Sequence, residues 1–126
     1  MNFKDPLPIF VQIAERLSDE ILAGTYPPDG RVPGVREYAA LLEVNPNTAV
    51  KSYDLLAQRG VLYNRRGLGY FVAPQAQDII RNTRRTEFFT TDLPELFRRM
   101  RQLGITPDDL RDFWEQEADD SSVFAP

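Results

Sequence analysis

Hydrogen-bonding side chains recur along one side of a predicted helix in the first half of the chain. Asn47 and Lys51 recur at helical spacing with Asp54 and Gln58, and Thr48 lies at the margin of the same face. With about 100° between successive residues, the first four lie within about 60° of one another. Such groups are suited to base edges and phosphates in a major groove. A plain solvated face has the same polar pattern, so this face alone leaves both interpretations open.

Three arginines extend this chemistry. Arg36 lies at the head of the preceding predicted helix, and Arg65 and Arg66 lie at the tip of a predicted hairpin. Guanidinium groups bind phosphates well, and we expect no apolar neighbour at the alternate positions beside Arg65 and Arg66. Each group alone is also typical of a solvated surface. Their occurrence together in one small module favours a nucleic-acid partner.

The net charge of −4 conceals a basic region. Residues 30–73 contain six basic side chains against three acidic ones. The basic ones are Arg31, Arg36, Lys51, Arg59, Arg65 and Arg66. Because salt screens charges beyond roughly 8–10 Å, DNA responds to the local field and not to the average. The acidic average therefore does not exclude DNA binding by the first half of the chain.

The composition disfavours an enzyme. With no Cys and no His, the chain lacks thiolate and imidazole chemistry and the metal sites that these groups make. The N-terminus has no signal-peptide pattern, and no stretch approaches the roughly 20 apolar residues that span a bilayer. We therefore expect a cytoplasmic protein that is not an enzyme and has no cofactor.

Two groups of side chains in the second half have types that bind small partners. Four acids at helical spacing suit a hard cation, but acids in a first helical turn also favour the helix dipole. Aromatic residues at helical spacing suit an apolar ligand, but more often form a core or an interface. The acids are Asp108, Asp109, Asp112 and Glu115, and the aromatics are Phe88, Phe89, Phe97, Phe113 and Trp114. We expect no metal site and leave a small-molecule effector open.

Three helices and a hairpin are predicted within residues 1–73. Apolar spacing predicts helices over residues 9–23, 34–42 and 46–59, the third with Asn45 as N-cap. Runs rich in β-forming residues at 61–65 and 70–73 flank a glycine-containing turn. This order predicts a mainly α fold with a small β-hairpin, arranged as a winged helix-turn-helix.

Residues 74–118 are predicted to form a helical dimerisation region, with helices over 75–88, over 93–103 and after a capping box at Thr106. About 45 residues in three short helices cannot enclose their own apolar side chains, so we expect a second copy to cover them. The residues of this predicted surface are Leu93, Leu96, Phe97, Met100, Leu110, Phe113 and Trp114. We expect residues 119–126 to form a flexible tail.

Several sequence blocks resemble one family of bacterial regulators. They are VPGVREYA at 32–39, VNPNTA at 44–49, YDLL at 53–56, GVL at 60–62 and RRGLGYFV at 65–72. In order and spacing they are similar to the winged-helix signature of the GntR family of transcription regulators. The VNPNT block and the tail, with ELFRRM at 95–100 and LGI at 103–105, resemble the YtrA-like subfamily. Members of that subfamily have a small helical dimerisation region in place of a large effector domain.

The resemblance implies a homodimeric repressor, often of nearby transporter genes, that binds a palindromic operator. It implies DNA contacts at Arg36, Asn45, Asn47, Thr48 and Lys51, and a wing formed by Arg65, Arg66, Gly67 and Gly69. The sequence departs from the family at Gly34, where serine is usual, and at Pro46, where many relatives outside this subfamily carry arginine. The base preferences of those relatives are therefore not transferred.

Two other functions stay open on the sequence alone. The same helix and hairpin suit a winged-helix module that binds a protein, in which the arginines are only solvated. An aromatic tail that binds an apolar effector would make a ligand-gated sensor. The ligand must then favour one spacing of the two DNA-binding domains of a dimer over another. Weak, unselective DNA binding would indicate the first function, and a thermal shift with metabolites the second.

Overall fold

The structure, a computed structural model, describes residues 7–124, and residues 120–124 by their backbone alone. Its elements are α1 (Ile9–Leu22), α2 (Val35–Leu42), α3 (Pro46–Gln58), β1 (Leu62–Arg65), β2 (Gly69–Val72), α4 (Ala76–Glu87), a π-helical turn (Phe88–Asp92), α5 (Leu93–Leu103) and α6 (Pro107–Phe124). The chain divides into two compact units, one ending at Arg84 and the other beginning at Arg85. The predicted mainly α fold with a hairpin is confirmed, and the first five elements begin and end within one residue of the predicted positions.

The first unit encloses one apolar core. Ile13, Leu17 and Ile21 recur along one face of α1 and are completely buried. They pack with side chains from the other elements of this unit, namely Tyr38, Leu42, Tyr53, Leu56, Val61, Leu62, Val72, Ala76 and Ile80. Each Å² of apolar surface removed from water contributes about 25 cal/mol. This burial holds the helices and the hairpin in one arrangement.

A tight turn joins α2 to α3. Glu43 ends α2 with φ 57° and ψ 45°, a left-handed conformation that is costly for a residue with a Cβ atom. Asn45 Oδ1 then accepts a hydrogen bond from the amide of Asn47 at 2.8 Å, and Pro46 occupies the first turn of α3. The predicted N-cap is confirmed.

The sheet has a third segment beside the hairpin. β1 and β2 are antiparallel, with Arg65 opposite Gly69. Residues 29–32 lie along the other edge of β2, where the amide of Val32 donates to the carbonyl of Tyr70 at 3.1 Å. The sequence does not predict this pairing, because turn-forming proline and glycine residues surround the segment. The pairing satisfies backbone groups on an edge that would otherwise be open.

The first residues of α4 complete the first unit. Ala76 and Ile80 belong to its core. Further along the helix, Arg84 Nη2 lies 3.0 Å from a carboxylate oxygen of Glu15 and 2.7 Å from one of Asp19. The first unit therefore includes this part of α4. The division into residues 1–73, 74–118 and 119–126 stays a prediction.

A π-helical turn lies between α4 and α5. The amide of Leu93 donates to the carbonyl of Phe88, five residues back. Pro94 follows in the first turn of α5. In a regular helix a proline ring clashes with the carbonyl four residues earlier, and the proline has no N–H to donate. The wider π turn accommodates Pro94 at this position.

The predicted capping box begins α6 and is confirmed. Thr106 Oγ1 accepts from the amide of Asp109 at 3.2 Å, and Asp109 Oδ2 accepts from the amide of Thr106 at 3.0 Å. These hydrogen bonds hold the pKa of Asp109 below its usual value. α6 continues to Phe124, within the segment expected to be a flexible tail, and residues 125–126 lie outside the described residues.

Candidate nucleic-acid interface

The two sides of α3 face the directions that the sequence predicts. The inner side is buried and consists of Ala49, Ser52, Tyr53 and Leu56. The outer side is exposed and carries Asn47, Lys51, Asp54 and Gln58, with Thr48 half-buried at its margin. We call this outer side the polar face of α3. It offers amide, ammonium and carboxylate groups to a partner.

Two hydrogen bonds and a ring contact fix the rotation of α3 about its axis. Tyr53 donates its hydroxyl to the carbonyl of Pro33 at 2.6 Å, and Ser52 Oγ donates to the carbonyl of Phe10 at 2.7 Å. The ring of Tyr53 also meets that of Tyr70 edge-on, with centroids 5.1 Å apart. Burial raises the pKa of Tyr53, so its hydroxyl stays a neutral donor. Rotation of α3 would break all three contacts, and the polar face therefore stays exposed.

The basic region divides into paired and unpaired cations. Arg36 and Lys51 are exposed, and neither forms a salt bridge within the described part of the chain. Arg59 differs, because its Nη1 lies 3.6 Å from Oε1 of Glu15. Arg36 and Lys51 are therefore available to an anionic partner, whereas Arg59 is already paired with α1.

The tip of the wing is a tight turn that requires glycine. The amide of Leu68 donates to the carbonyl of Arg65 at 2.8 Å, and Gly67 between them has φ 78°. A positive φ at the third position of such a turn is characteristic of type II geometry. Arg66 is exposed beside Gly67. The turn therefore places Arg66 at the end of the hairpin.

Arg65 has an aromatic neighbour. Its Cζ lies 5.3 Å from the ring centroid of Phe71, and that ring also stacks on Tyr63 at 5.8 Å. The expectation of no apolar neighbour covered only the alternate positions beside Arg65 in its own strand, and Phe71 contacts Arg65 from β2. In the antiparallel register Arg65 lies opposite Gly69, so Phe71 is its diagonal neighbour on the same face, within reach of a long side chain.

Arg31 adds a cation beside β2 that sequence reasoning did not include among the site residues. It is exposed and forms a β-bridge with Phe71. A Cβ atom added at Gly69 would lie 3.3 Å from Arg31 Nε, and Gly69 itself has φ 105°. Gly69 thus leaves room for the Arg31 side chain. The sequence showed that Arg31 is one of the basic residues of 30–73. The position of its side chain, however, depends on the pairing of residues 29–32 with β2.

The second unit leaves most of its predicted dimerisation residues exposed. Trp114 is 74% exposed and Phe113 61%, whereas Met100 is 6% exposed. Leu96, Phe97 and Leu110 are also exposed, and Leu93 is half-buried. Asp109 serves the capping box, and no group of three or more acidic side chains in the described part of the chain is placed to hold a metal ion. Among residues 7–124, no helix has the length and apolar character needed to cross a bilayer.

Residues 10–72, which run from the second residue of α1 to the end of the hairpin, match a family described as bacterial regulatory proteins, gntR family. This chain belongs to the GntR family. The resemblance inferred from the sequence blocks is confirmed. The winged helix-turn-helix of this GntR-family protein accounts for the match.

Two relatives from Bacillus subtilis (strain 168) extend the comparison. This GntR-family protein is 30% identical over 110 residues to the uncharacterized HTH-type transcriptional regulator YhcF, covering 86% of this chain and 88% of YhcF. It is 34% identical over 70 residues to the HTH-type transcriptional repressor YtrA, covering 56% of this chain and 54% of YtrA. The chain thus spans about half the length of YtrA. The likeness to YtrA confirms the YtrA-like resemblance.

Solved structures show the same fold. A GntR-family protein from Bacteroides thetaiotaomicron is 37% identical with a TM-score of 0.81, over 90% of this chain and 99% of that one. The DNA-binding domain of AraR, solved in complex with operator ORX1, is 32% identical with a TM-score of 0.53, over 57% of this chain and 93% of that one. This GntR-family protein is thus a transcriptional regulator whose winged helix is similar to a domain that binds operator DNA.

Proposed function

We propose that this chain is a homodimeric repressor that binds a palindromic operator through α3 and the wing. The orientation of α3 carries the proposal. Asn47 and Lys51 face solvent, while Tyr53 and Leu56 are buried in the core. A helix whose polar face is rigidly exposed can enter a major groove without any change in the fold.

The residues of the polar face take different roles. Asn47 and Thr48 lie in the first turn of α3, the part of a recognition helix that contacts base edges. An asparagine amide both donates and accepts, which suits adenine. Lys51 and Arg36 are cations suited to phosphates, which position the protein without reading sequence. Asn45 Oδ1 caps α3, so the amide nitrogen of Asn45 is its atom suited to a phosphate.

The wing supplies contacts outside the major groove. Arg65 and Arg66 are suited to the flanking backbone or the minor groove, where arginine is the preferred cation. Gly67 permits the tight tip, and Gly69 leaves room for Arg31. Arg31 therefore adds positive charge beside Gly69.

A second copy supplies the symmetry. The exposed apolar side chains of the second unit, including Trp114 and Phe113, need a partner that covers them. A twofold dimer presents two copies of α3, which read half-sites about 34 Å apart or a near multiple of that distance. The operator is then palindromic.

The test begins with DNA fragments retained by the purified protein. Sequencing them is expected to return one palindromic motif. Fluorescence anisotropy on that motif is expected to show affinity that falls as salt rises. A plot of the logarithm of the binding constant against the logarithm of salt concentration should have a slope of about −0.9 for each phosphate contact. Weak binding without sequence preference would overturn the proposal in favour of a winged-helix module that binds a protein.

The sign of regulation has its own test. The relative YtrA is described as a repressor, and repression is therefore expected here. A promoter that overlaps the motif, placed before a reporter gene, should give less transcription when the protein is present. Transcription that rises with the protein would overturn repression while leaving DNA recognition intact.

A further inference from the structure

Arg101 and Glu117 carry opposite charges on consecutive helices of the second unit, and both are exposed. Neither forms an ion pair within the described part of the chain. Arg99 likewise forms no salt bridge within the described residues, whereas three other arginines of this unit have neighbours of their own. Arg98 pairs with Glu95, Arg111 pairs with Asp108, and Arg85 lies over the ring of Phe89 at 5.0 Å.

Arg101 lines an apolar cleft. Its other walls come from Phe97 and Met100 on α5, from Ile105, and from Pro107 at the start of α6. The cleft holds about 250 Å³. A cavity of about 150 Å³ lined by apolar side chains is enough to hold benzene, so this cleft has room for an aromatic side chain.

Glu117 lies in the apolar stripe of α6. With about 100° between successive residues, Leu110, Phe113, Trp114 and Glu117 fall within about 100° of one another. Asp112 and Glu115, by contrast, lie on the opposite side of the helix. An acid that is buried together with aromatic side chains requires a cation close by, because an unpaired buried charge is costly.

We propose that α6 of one copy covers the cleft of the second copy, with its aromatic side chains in the cleft and Glu117 paired with Arg101 of that second copy. The inference rests on the homodimer of the proposed function. The occupant is a second copy because the chain itself carries both halves of the contact, a cation at an apolar cleft and an anion in an aromatic stripe. Twofold symmetry forms the contact twice.

Charge reversal tests the pairing. Glu117→Arg and Arg101→Glu should each weaken dimerisation by at least about tenfold in sedimentation equilibrium at low salt. The double variant exchanges the two charges, so the pair is again of opposite sign. Its dimer dissociation constant should return to within about threefold of that of the unmodified protein. Circular dichroism verifies that each variant is folded.

Matched controls make the same charge changes elsewhere. Glu115→Arg lies on the other side of α6, and Arg99→Glu changes an arginine of α5 that forms no salt bridge within the described residues and lies outside the cleft. Both variants should keep the dimer dissociation constant within about threefold of that of the unmodified protein, because a surface charge far from a contact contributes little to its free energy. Controls that weaken the dimer as much as the test variants would overturn the specific pairing.

Trp114 gives an independent readout, because it is the only tryptophan of the chain. Its emission should shift to the blue as protein concentration rises and the side chain enters the cleft of the second copy. The shift should follow the sedimentation curve, and in Glu117→Arg it should require at least about tenfold higher protein concentration. Emission that does not change while the dimer forms would overturn the placement of the α6 aromatic side chains.

The outcomes separate this inference from the proposed function. If neither charge reversal changes the dimer dissociation constant, the Glu117–Arg101 pairing is overturned but the homodimer is not. A protein that sediments as a monomer at all concentrations overturns both. An emission shift caused by a small apolar ligand in such a monomer would indicate that the cleft serves an effector.

Discussion

The guanidinium group of Arg65 lies over the ring of Phe71, with Cζ 5.3 Å from the ring centroid. The other neighbour of that ring, Tyr63, is itself held by a hydrogen bond from its hydroxyl to Asp29 Oδ1 at 2.8 Å. Arg65 is thus held on one face of the wing before any partner binds. Less side-chain entropy is then lost on binding than for a freely moving arginine.

The first prediction concerns this contact. An exposed cation–π contact contributes about 0.5–1 kcal/mol, so Phe71→Leu should lower operator affinity by about two- to fivefold. The measurement is fluorescence anisotropy on the operator. In the Arg65→Ala background the same substitution should have no further effect. A loss of equal size in that background would show that Phe71 acts independently of Arg65.

The polar face of α3 gives a second prediction. Lys51→Ala should weaken binding to all DNA and reduce the log–log salt slope by about 0.9, because one phosphate contact is lost. Asn47→Ala should instead reduce the difference in binding free energy between operator and random DNA by about 1–3 kcal/mol, because a base contact is lost. Arg81→Ala, which removes a cation from α4, serves as the control and should change neither quantity. An unchanged operator-to-random ratio in Asn47→Ala would refute base recognition by this residue.

Gly34 offers a stabilising substitution. It is the N-cap of α2, with φ −61° and ψ 157° and no side-chain hydrogen bond, and a Cβ atom there would meet nothing within 4 Å. Gly34→Ser restores the residue that is usual in the family. It should raise the free energy of unfolding by about 0.5–1 kcal/mol, through a capping hydrogen bond and a less flexible unfolded chain. Urea unfolding measures this, and Gly34→Ala separates the chain-entropy part from the hydrogen bond.

Glu43 stores backbone strain in the turn before α3. Its left-handed conformation costs roughly 1 kcal/mol or more for a residue with a Cβ atom. Glu43→Gly should therefore raise the midpoint of thermal unfolding. Glu43→Ala removes the same charge but keeps the Cβ atom, so it should not reproduce the gain. Equal gains in both variants would indicate that the charge, and not the conformation, is responsible.

Stability should fall at alkaline pH because of Tyr38. Burial and the hydrogen bond from its hydroxyl to Glu20 raise the pKa of Tyr38 above the usual value. The unfolded chain releases this proton near pH 10 while the folded chain keeps it. The associated stability is therefore complete below about pH 10 and is lost as pH rises further. Urea unfolding between pH 8 and 11 should show this fall, and Tyr38→Phe should show a smaller one.

The order of elements and the direction in which α3 faces follow from local sequence rules. Asn45 and Pro46 define the start of α3 through local rules of capping and proline geometry. The spacing of Tyr53 and Leu56 against Asn47 and Lys51 determines which side is buried, because helical periodicity is a local property. Both kinds of inference need no knowledge of what lies across the fold.

Which cations are available to a partner, and which contacts hold them, depends on how distant parts of the chain pack together. Arg59 pairs with Glu15 on another helix, and Arg31 reaches Gly69 only because residues 29–32 pair with β2. These contacts join residues distant in sequence. A slip of one residue in strand register would move every side chain of a strand to the other face of the sheet. The availability of each charge is therefore a property of packing, which residue types and spacing alone do not specify.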